Sequence, residues 1–175
     1  MKEVNLYIPK VEDLWFRQLC MKDPATMSYN AGYDVSYEGY HYDTGCIDFP
    51  EEKWEFWLDS KLNDKNSFYA YIQDSESGNF VGYLNYHKID DGRYMMGIVI
   101  HSKFQGQGYM RPAMKVFIER AKANGVDALY DSVPLSREKA LKVFYDLGFV
   151  ITQEFESEKF GKPDPCVEIM LDLTK

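Results

Sequence analysis

The sequence predicts a single domain of the mixed α/β class, with a central sheet flanked by helices. Its 175 residues match the usual size of one domain. Residues 66–101 hold three strand-like segments separated by tight turns, a pattern typical of antiparallel hairpins. Residues 102–172 then alternate helical with strand patterning, which indicates strand–helix–strand units. These observations predict the element order β-α-loop-α-β-β-β-α-β-α-β-β.

The N-terminal third predicts one strand, two helices and a long loop between them. Residues 4–8 alternate as a strand, and a helix over 11–21 has an apolar side formed by Leu14, Trp15, Leu19 and Cys20. Residues 23–49 contain three glycines and five tyrosines, which predicts a functional loop or a loop that hides a short element. Pro50 and the two glutamates after it begin a second helix. Its inner side is predicted to hold Trp54, Trp57, Leu58 and Lys61/Leu62.

The remaining strands and two further helices are predicted over residues 68–172. Strands are expected at 68–72, 80–87 and 94–101, and the last is apolar enough to be covered on both faces. A helix that begins at 110 has apolar residues at i, i+3, i+4 and i+7 and ends at Asn124-Gly125. A strand over 128–133 precedes a helix over 137–147 that Ser136 caps, and strands at 149–156 and 166–172 complete the chain.

Composition and charge exclude several classes of protein. The chain carries 28 acidic and 20 basic residues, a net charge of −8, which argues against a nucleic-acid-binding protein. No apolar run approaches the ~20 residues of a membrane span, and the N-terminus lacks a signal-peptide pattern. The three cysteines, odd in number and widely spaced, favour reduced thiols in a cytoplasmic protein over disulfides. No His, Cys or acidic residues have the spacing of metal ligands.

The segment 105–108, Gln-Gly-Gln-Gly, points most directly to chemistry. It lies between an apolar strand and a basic amphipathic helix, so its glycines let the backbone approach a ligand at the helix N-terminus. Unpaired amides and the helix dipole favour an anion there, and Lys103 and Arg111 add positive charge. Taken alone, the two glycines also fit a simple tight turn, and the dinucleotide-binding and P-loop patterns are incomplete. In this position they predict a pyrophosphate-binding loop.

Together with its neighbours, this segment resembles the GNAT superfamily of acetyl-CoA-dependent N-acyltransferases. The resemblance is carried by the apolar strand 94–101, by Gln105, Gly108 and Met110, and by Phe144, Gly148 and Phe149. It covers residues 66–152, which would form an acetyl-CoA-binding core. Residues 1–65 would form the acceptor side, and 153–175 the C-terminal strands of the same domain. The family's sheet is mostly antiparallel, with middle strands that splay apart.

The resemblance implies acetyl-CoA as co-substrate, in a site built largely from backbone. The freed backbone of Ile98, Val99 and Ile100 would pair with the pantetheine arm, and the loop amides would hold the pyrophosphate. The other cofactor-binding residues are then Gln105, Gly106, Gln107, Gly108, Tyr109, Met110, Arg111 and Arg137. An amine would attack the acetyl group directly, without an acyl-enzyme, while a backbone amide polarises the carbonyl.

Three departures from the family pattern bear on the cofactor and on catalysis. Met110 replaces a small residue of the loop, and Arg137 or Ser136 stands where relatives carry an asparagine. Phe144 replaces the tyrosine that reprotonates the thiolate, and its neighbour Tyr145 lies about 100° around the helix. The catalytic candidates are therefore titratable or hydroxyl-bearing residues near the expected site: His101, Asp131, Ser132 and Tyr145.

The acceptor is expected beside residues 27–49, because aromatic rings and carboxylates attract an ammonium group. Residues 30–59 carry eight acids and one base, and Tyr33, Tyr37 and Glu38 are the predicted acceptor-binding residues. The same rings could instead form a secondary core. The sequence thus predicts an N-acetyltransferase that acts on a small-molecule amine or a peptide N-terminus. Two alternatives remain: an acyl-CoA sensor without catalysis, and a docking protein, for instance a homodimer.

Overall fold

The computed structural model describes residues 1–175 and contains one seven-stranded sheet. The strands are β1 (Val4–Tyr7), β2 (Ser67–Asp74), β3 (Phe80–Lys88), β4 (Tyr94–Ile100), β5 (Ala128–Pro134), β6 (Val150–Lys159) and β7 (Lys162–Asp172). Their order across the sheet is β1-β2-β3-β4-β5-β7-β6. Only β4 and β5 pair in parallel, and all other neighbours are antiparallel. The predicted mixed α/β class and mostly antiparallel sheet are confirmed.

Five α-helices cover the two faces of the sheet. They are α1 (Trp15–Met21), α2 (Pro24–Met27), α3 (Trp54–Leu62), α4 (Met110–Ala123) and α5 (Glu138–Asp146), with short 3₁₀ turns at Val11–Asp13, Ser28–Asn30, Glu51–Lys53 and Ser102–Phe104. A larger core cluster includes Leu84, Met114, Phe117 and Phe144, and a second includes Phe16, Leu58 and Tyr71. None of the helices combines the length and apolar character needed to cross a membrane.

The first helix differs from its predicted form. Trp15 and Leu19, expected on the apolar side, are 50% and 38% exposed, whereas Phe16, Cys20 and Met21 are buried. The physical reason is the 3₁₀ turn Val11–Asp13, since three residues per turn shift the phase of the α-helix that follows. In α3, Trp54 and Leu58 are buried as predicted, whereas Leu62, the last residue of the helix, is 47% exposed.

Two boundaries at the C-terminal end also differ. The helix α5 begins one residue later than predicted, with Arg137 at its N-cap and no side-chain capping bond, so the predicted cap by Ser136 is wrong. Strands β6 and β7 form one long hairpin that turns at Phe160 and Gly161, both at positive φ. The two strands are longer than predicted. The outer part of the hairpin has charged residues at alternate positions, such as Glu154, Glu156 and Glu158, and lacks the apolar face by which a strand is recognised.

Strand β4 is the element that opens the sheet. It pairs with β5 only at Tyr94↔Leu129 and Met95↔Tyr130, after which the two strands diverge. Most of β4 is therefore only partly buried, and the prediction that both of its faces are covered is wrong. The divergence confirms the splayed middle strands that the family resemblance implied, and it leaves a gap between β4 and β5.

Candidate active site

A cleft of about 610 Å³ lies at the gap between β4 and β5. The glycine segment after β4, the start of α4, the end of β5 and the start of α5 form its walls. Ile98 and Ile100 line it from β4, and Ala140 and Val143 line it from α5. The sequence therefore brings the strand edge, the glycine loop and the start of α5 to one place, although they are far apart along the chain.

The glycine loop presents free backbone amides at the mouth of this cleft. Gly106 and Gly108 adopt φ values of +74° and +88°, and no atom lies within 4 Å of where a Cβ would stand at either position. The amides of residues 106–111 donate to no group of the protein, whereas that of Ala113 already bonds the Tyr109 carbonyl at 3.1 Å. Consecutive unpaired amides that lead into a helix N-terminus form a binding site for an anion such as a pyrophosphate.

The side chains around this loop have separate roles. Tyr109 is among the residues that line the cleft, but its side chain is buried and its hydroxyl donates to Asp74. The side-chain amides of Gln105 and Gln107 donate to the carbonyls of Ile100 and Lys103, both at 2.9 Å, and hold the loop in shape. Met110 and Arg111 line the cleft, and Arg111 also pairs with Asp146 at 2.9 Å.

Strand β4 has backbone groups available along the gap. The His101 amide donates to the Val81 carbonyl of β3 at 2.9 Å. Because hydrogen-bonding direction alternates along a strand, the amides of Ile98 and Ile100 face away from β3, toward the gap. Val99 points to the other side, where it packs into the second core cluster and lines a smaller cavity.

This smaller cavity of about 390 Å³ adjoins the cleft. The two share residues from three parts of the chain, namely Tyr29, Tyr33, Ile98, Pro134 and Arg137. The smaller cavity extends toward α1 and is also lined by Arg17, Asn30, Asn85 and Asp131. Two connected spaces, one with an anion-binding loop and one with polar side chains, provide room for two reactants.

Asp131 is the titratable group best placed for proton transfer. Burial raises the pKa of its carboxyl to about 7, against the opposing effects of the Ser132 amide and the Arg137 charge. The Ser132 amide donates to Oδ1 of Asp131 at 2.8 Å. A carboxyl that titrates near neutral pH can accept a proton from an ammonium group at working pH. Ser132 lines the same cavity beside it.

The structure does not bring His101 or Tyr145 to either space. His101 caps a 3₁₀ turn by accepting the Lys103 amide through Nδ1 at 3.1 Å, while Nε2 lies 3.6 Å from Asp23. Tyr145 is 41% exposed and does not line the cleft. Phe144, beside it, is buried against Phe149 in the core. No hydroxyl on α5 thus replaces the family's tyrosine.

Of the predicted acceptor-binding residues, only Tyr33 reaches the cleft. Its hydroxyl donates to Asp164 at 2.7 Å, and burial and this carboxylate raise its pKa. Tyr37 hydrogen-bonds with Asn30, and Glu38 pairs with Lys53 at 2.7 Å with its side chain 85% exposed. Neither Tyr37 nor Glu38 lines either space. The acidic side chains of this loop therefore lie mainly at the surface.

Two residues of the site were not selected from the sequence. Tyr29 lines both spaces, lies under the Arg137 guanidinium at 5.5 Å, and its hydroxyl bonds no group of the protein. Burial raises its pKa, so it stays protonated at neutral pH. Arg17 lines the smaller cavity from α1. Nothing in the local pattern distinguishes either residue, because their positions depend on how the N-terminal segment lies across the sheet. No group of three or more His, Cys, Asp or Glu side chains could hold a metal ion.

The chain matches the model of a known protein family. The model of the Acetyltransferase (GNAT) family matches residues 32–149, more than half of the chain, and the protein therefore belongs to this family. The finding confirms the resemblance inferred from the strand, the glycine loop and the segment around Phe144. A search of curated proteins found no match.

Solved structures share the fold over nearly their whole length. One is spermidine N-acetyltransferase from Vibrio cholerae, in complex with CoA and spermine (TM-score 0.78, 18% identity, 99% of this chain and 97% of that chain covered). Another is yncA from Salmonella typhimurium, with its cofactor acetyl-CoA (TM-score 0.73, 14% identity, 100% and 95% covered). A third is the GNAT-family acetyltransferase from Bacillus anthracis (TM-score 0.73, 13% identity, 99% and 97% covered). At these identities the likeness shows the fold alone.

Proposed function

We propose that this protein is an N-acetyltransferase that transfers the acetyl group of acetyl-CoA directly to a primary amine. The observation that carries the proposal is the loop of free amides at residues 106–111, which opens onto the gap between β4 and β5. Family membership supports acyl transfer in general. The amine acceptor is supported by the connected cavity, which holds Asp131.

The residues of the cleft fit acetyl-CoA as a co-substrate. The free amides suit its pyrophosphate, and the unpaired edge of β4 at Ile98 and Ile100 suits the amides of its pantetheine arm. Arg111, Arg137, Lys139 and Lys159 also line the cleft and balance its phosphate charge. When bound, acetyl-CoA supplies an acetyl group activated as a thioester.

Asp131 acts as the general base in this proposal. An amine is protonated at neutral pH and must lose a proton before its nitrogen can attack. A carboxylate with a pKa of about 7 can take that proton, directly or through one water molecule. One of the backbone amides that β4 leaves unpaired, at Ile98 or Ile100, would polarise the carbonyl under attack, as an oxyanion hole does, and the other would remain for the pantetheine arm.

Tyr29 acts as the general acid. The departing sulfur needs a proton, and Phe144, at the family's tyrosine position, has none to give. The Tyr29 hydroxyl has no partner in the protein, is protonated at neutral pH, and lies where the two spaces meet. The amine nitrogen loses two protons, one to Asp131 before attack and one to solvent as the tetrahedral intermediate collapses. After product release Asp131 gives its proton to solvent and Tyr29 regains one from solvent, so each turnover releases one proton.

The test is thiol release from acetyl-CoA with and without primary amines. We expect release that depends on an added amine and a product heavier than that amine by one acetyl group, by mass spectrometry. The panel includes amino acids, their decarboxylated counterparts, polyamines and short peptides with a free N-terminus. Acetyl-CoA binding without amine-dependent release across this panel would contradict the proposal.

A second function, binding of acyl-CoA without transfer, is supported by one observation. Phe144 is buried and removes the hydroxyl that relatives use, while the amide loop stays intact. The same assay separates the two functions, because a sensor binds acetyl-CoA and releases no thiol when amines are added.

A further inference from the structure

Arg17 is a half-buried cation without an anionic partner. Its guanidinium carbon lies 4.0 Å from the Trp57 ring and 4.8 Å from that of Phe49, with Tyr69 and Tyr83 at 5.6 and 5.7 Å. Its Nε is buried and makes no hydrogen bond, and the adjacent Tyr69 hydroxyl is also buried without one. Arg93 and Arg111, in contrast, form ion pairs with carboxylates.

Backbone contacts fix Arg17 in this place. The Tyr71 hydroxyl donates to the Asp13 carbonyl at 2.9 Å and accepts the Arg17 amide at 3.2 Å, which anchors the first turn of α1 on the sheet. The ring cage compensates part of the cost of desolvating the cation. Rings cannot satisfy the N–H donor at Nε, which is the buried nitrogen of the guanidinium, and leaving a buried charged donor unpaired is costly.

The cavity that Arg17 lines has an excess of positive charge. Its charged lining residues are two cations, Arg17 and Arg137, and one carboxyl, Asp131, whose pKa burial raises to about 7. Burial lowers the pKa of Lys61, and the charge of Arg17 lowers it further. This positive charge opposes a ligand that carries several positive charges and favours one that carries an anion.

We infer that the acceptor amine also carries a carboxylate, which the Arg17 guanidinium binds. The inference rests on the proposed function and narrows its acceptor to an amino-acid-like molecule. The planar fork of arginine matches a carboxylate through two parallel hydrogen bonds. Arg17 and Asp131 line one cavity of about 390 Å³, so a small molecule can place its carboxylate at the first and its amine at the second. Polyamines, which lack an anion, are then poor acceptors.

The test compares amines in pairs that differ by a carboxylate. Methionine is set against 3-(methylthio)propylamine, phenylalanine against phenethylamine and lysine against cadaverine, and O-phosphoethanolamine reports whether a phosphate serves as well. We expect the carboxylated member to have the higher kcat/KM. Arg17→Met should raise its KM about tenfold to a hundredfold while leaving the KM of the carboxylate-free member unchanged. Arg17→Lys, which keeps the charge, should recover part of the loss.

Arg120→Met is the matched control. Arg120 also lies over an aromatic ring, Phe68 at 5.5 Å, and has no ion pair, but it lies on α4 and lines neither space. We expect this variant to keep the wild-type KM for both members of each pair. The unfolding temperatures of both arginine variants show whether loss of a cation–π contact by itself changes the stability of the protein.

Failure of the inference and failure of the proposed function give different results. Equal kcat/KM for both members, or an Arg17→Met defect of the same size for both, overturns the carboxylate site and leaves acetyl transfer standing. No thiol release with any amine overturns the proposed function. In that case, thermal unfolding of the CoA-saturated protein with the same amino acids shows whether the carboxylate site exists. A shift in the wild type that Arg17→Met loses supports the site, and no shift overturns it.

Discussion

At the scale of single residues, Asp131 differs from the other carboxyl groups with shifted pKa values. Hydrogen bonds and charges lower the pKa of Asp23, Asp64, Asp74 and Asp146, whereas burial raises that of Asp131 to about 7. A raised carboxyl pKa in a cavity beside an anion-binding loop is typical of a general base rather than of a structural ion pair.

Asp131→Asn should remove the pH dependence that this carboxyl creates. In the wild type, kcat/KM should rise about tenfold per pH unit up to pH 7 and then level off, because the carboxylate is the active form. The variant should lose about a hundredfold or more at pH 8 and show no such limb. Asp127→Asn, at an exposed position just before β5, is the control and should keep the wild-type profile.

Asp131 should also make the free energy of unfolding depend on pH. Stability should fall as the pH rises, whereas kcat/KM should rise. Unfolded Asp131 releases its proton near pH 4 and the folded protein near pH 7. Raising the pH through this window therefore destabilises the wild type relative to Asp131→Asn. Denaturant unfolding at pH 4 and pH 8 measures the difference, and equal stability changes in both proteins would contradict the raised pKa.

Tyr29→Phe tests the proton donor. Removing the hydroxyl should lower kcat by about a hundredfold, with little change in the KM for acetyl-CoA, since only departure of the thiolate is affected. Tyr42→Phe is the control, because Tyr42 belongs to the same N-terminal segment and lines neither space. Wild-type kcat in Tyr29→Phe would remove this residue from the mechanism.

At the scale of elements, the sequence predicted strand β4, the glycine loop and helix α4 well, because their signals are local. The apolar strand, the two glycines and the amphipathic helix are consecutive, so strand β4 and helix α4 appear close to their predicted positions. The prediction of which side of α1 is buried was wrong because a 3₁₀ turn precedes the helix. A 3₁₀ turn of three residues is too short to be recognised from the spacing of apolar residues.

The hairpin β6–β7 shows what a local pattern cannot predict. Its tip holds the N-terminal segment over the cleft: the Phe160 amide donates to the Gly32 carbonyl at 2.7 Å, and Asp164 accepts the Tyr33 hydroxyl at 2.7 Å. Lys159 approaches the carbonyls of Ser28 and Tyr29 at 3.4 and 3.5 Å. These contacts join residues about 130 positions apart, and they place Tyr29 and Tyr33 at the cleft.

At the scale of the whole molecule, the acidic charge of residues 30–59 does not gather at the cavity proposed for the acceptor. Residues 30–59 are strongly acidic, yet Glu38 pairs with Lys53, and His41 pairs with Asp48 at 2.9 Å, at the surface. The space beside the cleft is instead lined by Arg17, Arg137 and Asp131, from α1, the start of α5 and β5. Net charge along a segment does not determine which side chains meet in a cavity after folding.

The central claim, that the loop 106–111 binds the pyrophosphate of acetyl-CoA, is tested most directly by thermal unfolding with and without acetyl-CoA. A ligand at about 100 times its Kd adds about 2.7 kcal/mol, which raises Tm by several degrees in a domain of this size. We expect that shift in the wild type and none in Gly108→Glu, whose carboxylate would occupy the open space beside the free amides.

Gly92→Glu is the matched control, because Gly92 also has a positive φ, +92°, and open space around it, but lies in the turn between β3 and β4. It should keep the full shift. ATP, which shares the adenine nucleotide but lacks the pantetheine arm, should give a smaller one. The absence of a shift at millimolar acetyl-CoA, or an equal shift in Gly108→Glu, would contradict the account.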